Sequence, residues 1–261
     1  MANYILKGLY REVRESLVQI AYHSDLRLMK KIERKEFQKV ADFAGVDVSQ
    51  ADAYVYKWNR ESAAMFDVQR PENFYLEWKG EIGVANLFAN FRDPCRRYWI
   101  YRAINKYLKH GACYIDYGCA SAAISFQFSD RINYGFLIDV ENIVANYIRW
   151  RIKEAGLERF RFLNPDETNK IGDNEVYFCL CIYVLEHLRN PSKVFNLKIN
   201  PKLKSGAILI LQAPWGNYCV EHLVEAQYDW EKQGGKKELA QSYHRIARLP
   251  IGGVSGVFRK K

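Results

Sequence analysis

No two of the six cysteines form a Cys-x-x-Cys pair; they are spread over positions 95, 113, 119, 179, 181 and 219. Three lie in or beside apolar runs, so they read as core thiols of a reducing compartment, not as a disulfide framework or zinc site. The five histidines are scattered, with no His-x-His or His-Glu-x-x-His, and no metal cluster is expected. A Gly-x-Ser-x-Gly nucleophile elbow and a phosphate-binding Gly-x4-Gly-Lys loop are both missing, which argues against two common catalytic plans. No basic block reaches five residues, although 39 Lys and Arg against 30 Asp and Glu leave a net charge of +9. Such an excess favours acidic partners, but its dispersion reads first as a solvated lysine-rich surface. The longest unbroken apolar run, 176–185, is too short to span a bilayer. Charges come too early in the first dozen residues for a secretion signal, so the cytoplasm is the expected location. There are no internal repeats and no low-complexity segment.

Apolar residues are plentiful, at 49%, enough for a full core. From residue 112 onward, short apolar runs alternate with helical periods. The spacing predicts strands at 112–116, 134–139, 159–163, 176–183 and 206–212, with helices at 121–129, 141–155 and 191–200. Gly156 is expected to stop the second of these helices. Alternation of this kind implies an α/β fold, a doubly wound and mostly parallel sheet. Two β-like runs, 244–249 and 254–259, flank Pro250-Ile-Gly-Gly253 and read as a terminal antiparallel hairpin.

The stretch around which the chain is organised is Tyr114-Ile-Asp-Tyr-Gly-Cys-Ala-Ser-Ala122. A strand ends in Asp116, turns at Gly118 and enters a helix through small residues, as in a nucleotide-binding βαβ unit. A second strand ends about twenty residues later in Asp139, a spacing that suits hydrogen bonds to a ribose. The acid at the end of the first strand would repel a pyrophosphate. It suits a ligand carrying an ammonium or sulfonium group.

Asp116-Tyr-Gly-Cys resembles the glycine-rich loop of class I S-adenosylmethionine (SAM) dependent methyltransferases. Val184-Leu-Glu-His-Leu188 is similar to the "VLEHL" motif of their ubiquinone-biosynthesis-like branch, and Leu203-Lys-Ser-Gly206 to the turn before their fifth strand. The resemblance covers about residues 95–261. It implies a Rossmann-like domain over 94–261, S-adenosyl-L-methionine as cofactor, and S-adenosyl-L-homocysteine as product. It also implies that Asp116, Tyr117, Gly118, Cys119 and Ala120 hold the methionine end. Asp139 with Val140 would take the ribose, either Asn164 or Asp166 the adenine, and Cys181 would line the end of the fourth strand. His187 is the candidate general base and Tyr183 the second candidate, since imidazole titrates near neutrality. The family's second and third loop glycines are Ala120 and Ala122 here. The loop is expected to have adapted to alanine, so that Ala120→Gly loosens the protein slightly through unfolded-state entropy.

A small-molecule acceptor with an O, N or C nucleophile is the favoured substrate. The alternatives are a binding or regulatory protein that has lost catalysis, and an RNA or protein methyltransferase. Against an enzyme acting on nucleic-acid amines, the fourth strand lacks an Asn/Asp-Pro-Pro-Tyr/Phe motif.

Residues 1–93 read as a helical cap, for substrate or for dimerisation. Helices are expected over 1–22, from Ser24 to Phe43 with a stop at Gly45, and from Gln50 to Phe66 behind a capping box of Ser49 and Asp52. Residues 39–54 resemble a helix-turn-helix. The second helix, however, carries Asp52, Tyr54 and Tyr56 where contacts to DNA need cations or amides. Nucleic acid is therefore an unlikely partner, and a buried helical hairpin or homodimer contact the favoured reading. Phe74, Tyr75, Trp78, Phe88 and Phe91 are either plain core or an aromatic lid over the substrate.

Overall fold

The computed structural model describes residues 23–67, 70–91, 94–215, 222–249 and 253–261. The helix expected over 1–22 lies outside them. The described helices are α1 (His23–Ala44), α2 (Ala51–Met65), α3 (Pro71–Leu76), α4 (Gly80–Phe91), α5 (Pro94–Tyr107), α6 (Ala123–Gln127), α7 (Ile143–Glu154), α8 (Pro191–Val194), α9 (Val224–Lys232) and α10 (Gly235–Ser242). The strands are β1 (Ala112–Tyr117), β2 (Ile132–Ile138), β3 (Phe160–Leu163), β4 (Val176–Ile182), β5 (Leu203–Ala213), β6 (Tyr243–Ala247) and β7 (Val254–Lys260).

The strands form one seven-stranded sheet in the order β3-β2-β1-β4-β5-β7-β6. The first five pair in parallel; β7 runs antiparallel to both β5 and β6. The α/β class, the mostly parallel sheet and the terminal hairpin are as the sequence implies. β4 and β5 are buried on both faces, which explains their almost unbroken apolar runs. The edge strands are short: β3 has 4 residues and β6 has 5, with a slip in register between Arg245 and Ala247.

Alternate residues of each strand feed two buried layers. One holds Tyr114, Leu137, Phe178, Leu180, Ile208 and Ile210 and is covered by α1, α2, α4, α5, α6 and α7. The other holds Ile115, Ile138, Cys179, Cys181, Leu209 and Leu211 and is covered by α8 to α10. Val40, Val55 and Phe88 lie in the same buried cluster as Tyr147 and Leu180, so the N-terminal helices share a core with the sheet. The buried Glu36 of α1 also forms an ion pair with the buried Arg151 of α7.

Local chemistry sets the helix ends. Gly45 takes φ +66° and the Val46 N–H bonds back to the Ala41 carbonyl, a Schellman stop for α1. Gly156 takes φ +59° after α7. Asn142 caps α7 by accepting from the Val144 and Ala145 N–H groups. The entry to α2 differs from expectation. A single 3₁₀ turn, Val48–Gln50, precedes it, and the cap is Asp47, which accepts from the Ser49 N–H at 2.8 Å. That aspartate caps the 3₁₀ turn, Ser49 lies inside the turn, and α2 itself starts from Gln50 as its N-cap with no side-chain cap bond. Between β4 and α8 the Val184–Leu188 segment forms a single 3₁₀ turn, Leu185–His187. α8 is a single turn that widens into a π-helical segment, Phe195–Ile199, before Pro201. No described helix is long and apolar enough to cross a membrane.

Candidate active site

The sheet reverses its order between β1 and β4: β2 and β3 lie to one side of β1, β4 and β5 to the other. In open α/β sheets the ligand crevice lies outside the carboxyl ends of the strands at that switch point. Asp116 sits there, at 6% exposure. Its carboxylate accepts a short hydrogen bond from the Ser125 hydroxyl, whose oxygen is also 2.9 Å from the Tyr114 hydroxyl. Burial pushes the Asp116 pKa up to about 7, and the nearby Asp139 adds to the rise.

Asp139 follows β2 and is partly buried. It accepts from the Ala120 N–H at 2.7 Å and the Val140 N–H at 2.8 Å. Desolvation still outweighs those two bonds and raises its pKa to about 6. The loop after β1 is thereby tied to the end of β2. Two more bonds tighten it, from the Gly118 and Cys119 N–H groups to the Ile138 carbonyl.

Four described non-glycine residues have a left-handed φ, and three of them flank this crevice. Ala120 (φ 45°) and Ala122 (φ 51°) lie in the loop after β1, and Tyr183 (φ 57°) follows β4. Such backbone is unusual for alanine and more so for a bulky residue, and it collects at functional sites. The loop therefore keeps the shape that glycines would give it, and has not relaxed to suit alanine. This reverses the expectation for Ala120→Gly. Left-handed alanine is strained by about 1–2 kcal/mol, and glycine returns only about 0.4–1 kcal/mol of that through unfolded-state entropy. Ala120→Gly should thus stabilise the protein by about 0.5–1 kcal/mol. Ala122→Gly should be nearly neutral, because it also removes a buried methyl group worth about 0.8 kcal/mol. Urea titration of both variants checks the contrast. Gly118 has no such latitude: a Cβ there would meet Val184 Cγ2 at 2.1 Å.

The other expected site residues divide. Tyr117 and Cys181 are register partners whose side chains pack in the buried layer opposite Asp116, so only their main chain borders the crevice. The Cys119 thiol is buried, and desolvation raises its pKa. Asn164 follows β3, and its N–H donates to Glu167 Oε2 at 2.9 Å. Asp166 is exposed and paired with Lys198 Nζ at 2.9 Å, on the outer surface.

The end of β4 brings together groups far apart in the sequence. Glu186 is fully buried, which pushes its pKa up to about 8. His187 Nε2 lies 3.9 Å from Glu186 Oε1, and the His187 ring packs edge-on against both His222 and Tyr75. The Tyr75 carbonyl accepts from Asn142 Nδ2 at 2.8 Å, just beyond the end of β2. Residue 75 therefore bridges from the end of β2 to the end of β4, across β1. Around it Phe74, Trp58 and Trp78 form an aromatic cluster.

Two polar residues went unnoticed in the sequence. Gln212 of β5 and Ser255 of β7 are register partners, both buried, and neither side chain has a hydrogen-bond partner among the described residues. Gln212 alternates with Leu211 and Ala213 of the opposite layer, so the pair shares the face of Asp116. A single glutamine in the run Ile208–Ala213 was the available signal.

No family model and no curated protein matches the chain. Among solved structures, it is similar to an SAM-dependent methyltransferase from Aquifex aeolicus, with 20% identity and a TM-score of 0.48 over 65% of this chain and 94% of that one. It is similar to the YcgJ protein of Bacillus subtilis at 15% identity, with a TM-score of 0.47 over 59% and 72% of the two chains. A third similar structure is the [4+2]-cyclase SpnF, at 20% identity and a TM-score of 0.40 over 46% and 44%. Likenesses this distant carry no assignment of activity, which has to come from the site itself.

Proposed function

We propose that the chain binds S-adenosylmethionine at the carboxyl ends of β1, β2 and β3 and transfers its methyl group to a small molecule. The observation that carries this reading is the strained left-handed backbone at Ala120, Ala122 and Tyr183, gathered around two desolvated strand-end acids. Strain held at one crevice, between carboxylates that pair with no cation among the described residues, fits a ligand that brings positive charge and needs close backbone approach.

Asp116 and the turn Tyr117–Ala120 take the methionine end. Asp139 and the Val140 N–H take the ribose. Asn164 suits the adenine better than Asp166, which is held on the surface by Lys198. Residues 94–261 form the SAM-binding part and residues 1–93 the cap, whose described helices complete the core and cover the crevice through Tyr75. The "VLEHL" segment fits the ubiquinone-biosynthesis-like branch. Gln212 and Ser255 are candidates to hold a polar acceptor.

In the transfer, the methyl carbon bonds to the acceptor atom as its bond to sulfur breaks, and sulfur keeps the electron pair. Charge is neutralised, so positioning and exclusion of water supply much of the effect. An acceptor that bears a proton gives it to a base, for which Tyr183 and, while no ion is bound to it, His187 are the candidates.

Calorimetry with S-adenosylmethionine and S-adenosylhomocysteine tests the reading. One site per chain is expected for both ligands, and a flat titration with both would overturn it. Affinity should also depend on pH. A carboxyl with a raised pKa is neutral below that pKa and charged above it. Between pH 5 and 8 the Asp139 and Asp116 carboxyls ionise near 6 and 7, so S-adenosylmethionine should bind more tightly as pH rises. The change should approach about tenfold per pH unit at the steepest point, where one proton is released on binding.

A further inference from the structure

Glu186 is buried, and neither carboxylate oxygen has a hydrogen-bond partner among the described residues. A buried carboxylate without donors is costly, so such groups are usually paired or coordinate a metal. Two imidazoles stand beside it. The ligating atoms of Glu186, His187 and His222 all lie within 4.8 Å of one another. The backbone holds the three together: the Leu223 N–H donates to the Glu186 carbonyl at 2.9 Å, and the His187 N–H to the Val184 carbonyl at 3.0 Å. His222 thus reaches Glu186 from a segment far along the chain, through the Leu223 to Glu186 backbone bond.

We propose that Glu186, His187 and His222 bind one divalent transition-metal ion, through one carboxylate oxygen and two imidazole nitrogens. The donor set selects the ion class. Two nitrogens and one oxygen suit zinc, cobalt, manganese or ferrous iron, whereas magnesium and calcium take oxygen ligands. Ligands about 2.1 Å from a tetrahedral zinc lie about 3.4 Å apart. The Glu186–His187 distance of 3.9 Å is close to that, and small side-chain rotations close the set. Three protein ligands leave at least one coordination position for an oxygen or nitrogen donor of a bound molecule. Because His187 also packs on Tyr75, that position belongs to the carboxyl end of β4, beside the crevice. Ion binding does not depend on the methyl-transfer reading, and S-adenosylmethionine affinity is measured separately, so either can fail alone.

The test uses the full chain, stripped with EDTA and titrated with zinc chloride by calorimetry and with cobalt chloride by visible absorption. One ion per chain is expected, with a rise in melting temperature and cobalt d–d bands. His222→Ala and Glu186→Gln should each weaken binding by more than about tenfold. Exposed His110 and His244 lie elsewhere, and their alanine variants should bind as the parent does, which separates the site from adventitious surface histidines. Should Glu186→Gln fail to fold, the partly exposed His222→Ala carries the test, with circular dichroism as the control. No stoichiometric zinc or cobalt binding by the parent, or undiminished binding by His222→Ala, would overturn the proposal.

Discussion

Replacing Glu36 by alanine is expected to destabilise the protein by about 3–5 kcal/mol, the cost of leaving a buried charge alone. Glu36 and Arg151 have side-chain exposures of 3% and 8%. Arg151 also donates to the Tyr147 hydroxyl at 2.7 Å, and its guanidinium lies 4.9 Å over the Phe126 ring. Gln127 Nε2 donates to the same glutamate at 2.9 Å. A guanidinium cannot shed its charge, so removal of Glu36 strands it among aromatic rings. The double variant Glu36→Ala, Arg151→Met should recover a large part of the loss, because an apolar side chain does not need the partner. Urea unfolding of the two variants measures both numbers. A loss below about 1 kcal/mol for Glu36→Ala would mean that α1 does not seat on α7 as described.

The second large effect is on ligand affinity. Asp139→Ala is expected to weaken S-adenosylmethionine binding by about 1–3 kcal/mol, equivalent to about fivefold to 150-fold. Two consequences add. On the proposed reading the ribose hydroxyls lose their acceptor, and the Ala120 N–H loses the carboxylate that pins the strained loop to the end of β2. Asp139→Asn keeps one acceptor oxygen and should fall between the two. Calorimetry, with circular dichroism to show that the fold persists, decides the matter. Unchanged affinity in the alanine variant would remove Asp139 from the ribose.

The sheet was legible because its chemistry is local. A strand buried on both faces needs an unbroken apolar run, and Val176–Ile182 and Ile208–Leu211 supply one each. Gly45 and Gly156 marked helix ends because only a left-handed residue closes them at little cost. Failures came where distant contacts override local pattern. Leu185–His187 makes only a 3₁₀ turn because the left-handed Tyr183 redirects the chain after its N–H bonds to the Gln212 carbonyl. Helices α9 and α10 owe their placement to Trp230 and Leu239, which enter the second core layer from a polar sequence. That the two strand-end acids come close together was legible because a fixed spacing in sequence places them. The grouping of Glu186 and His187 with His222 was not, because only the folded chain returns residue 222 to the end of β4.

The edges of the sheet have a consequence for association. A free strand edge is a template on which another chain can add a strand, and proteins blunt such edges with shortness, charge and irregular pairing. β3 offers only 4 residues, with the cationic Arg161 exposed among them. At the other side β6 carries exposed His244 and Arg245, and its ladder slips before Ala247. Fibril-like stacking through either margin is thereby disfavoured even at high concentration.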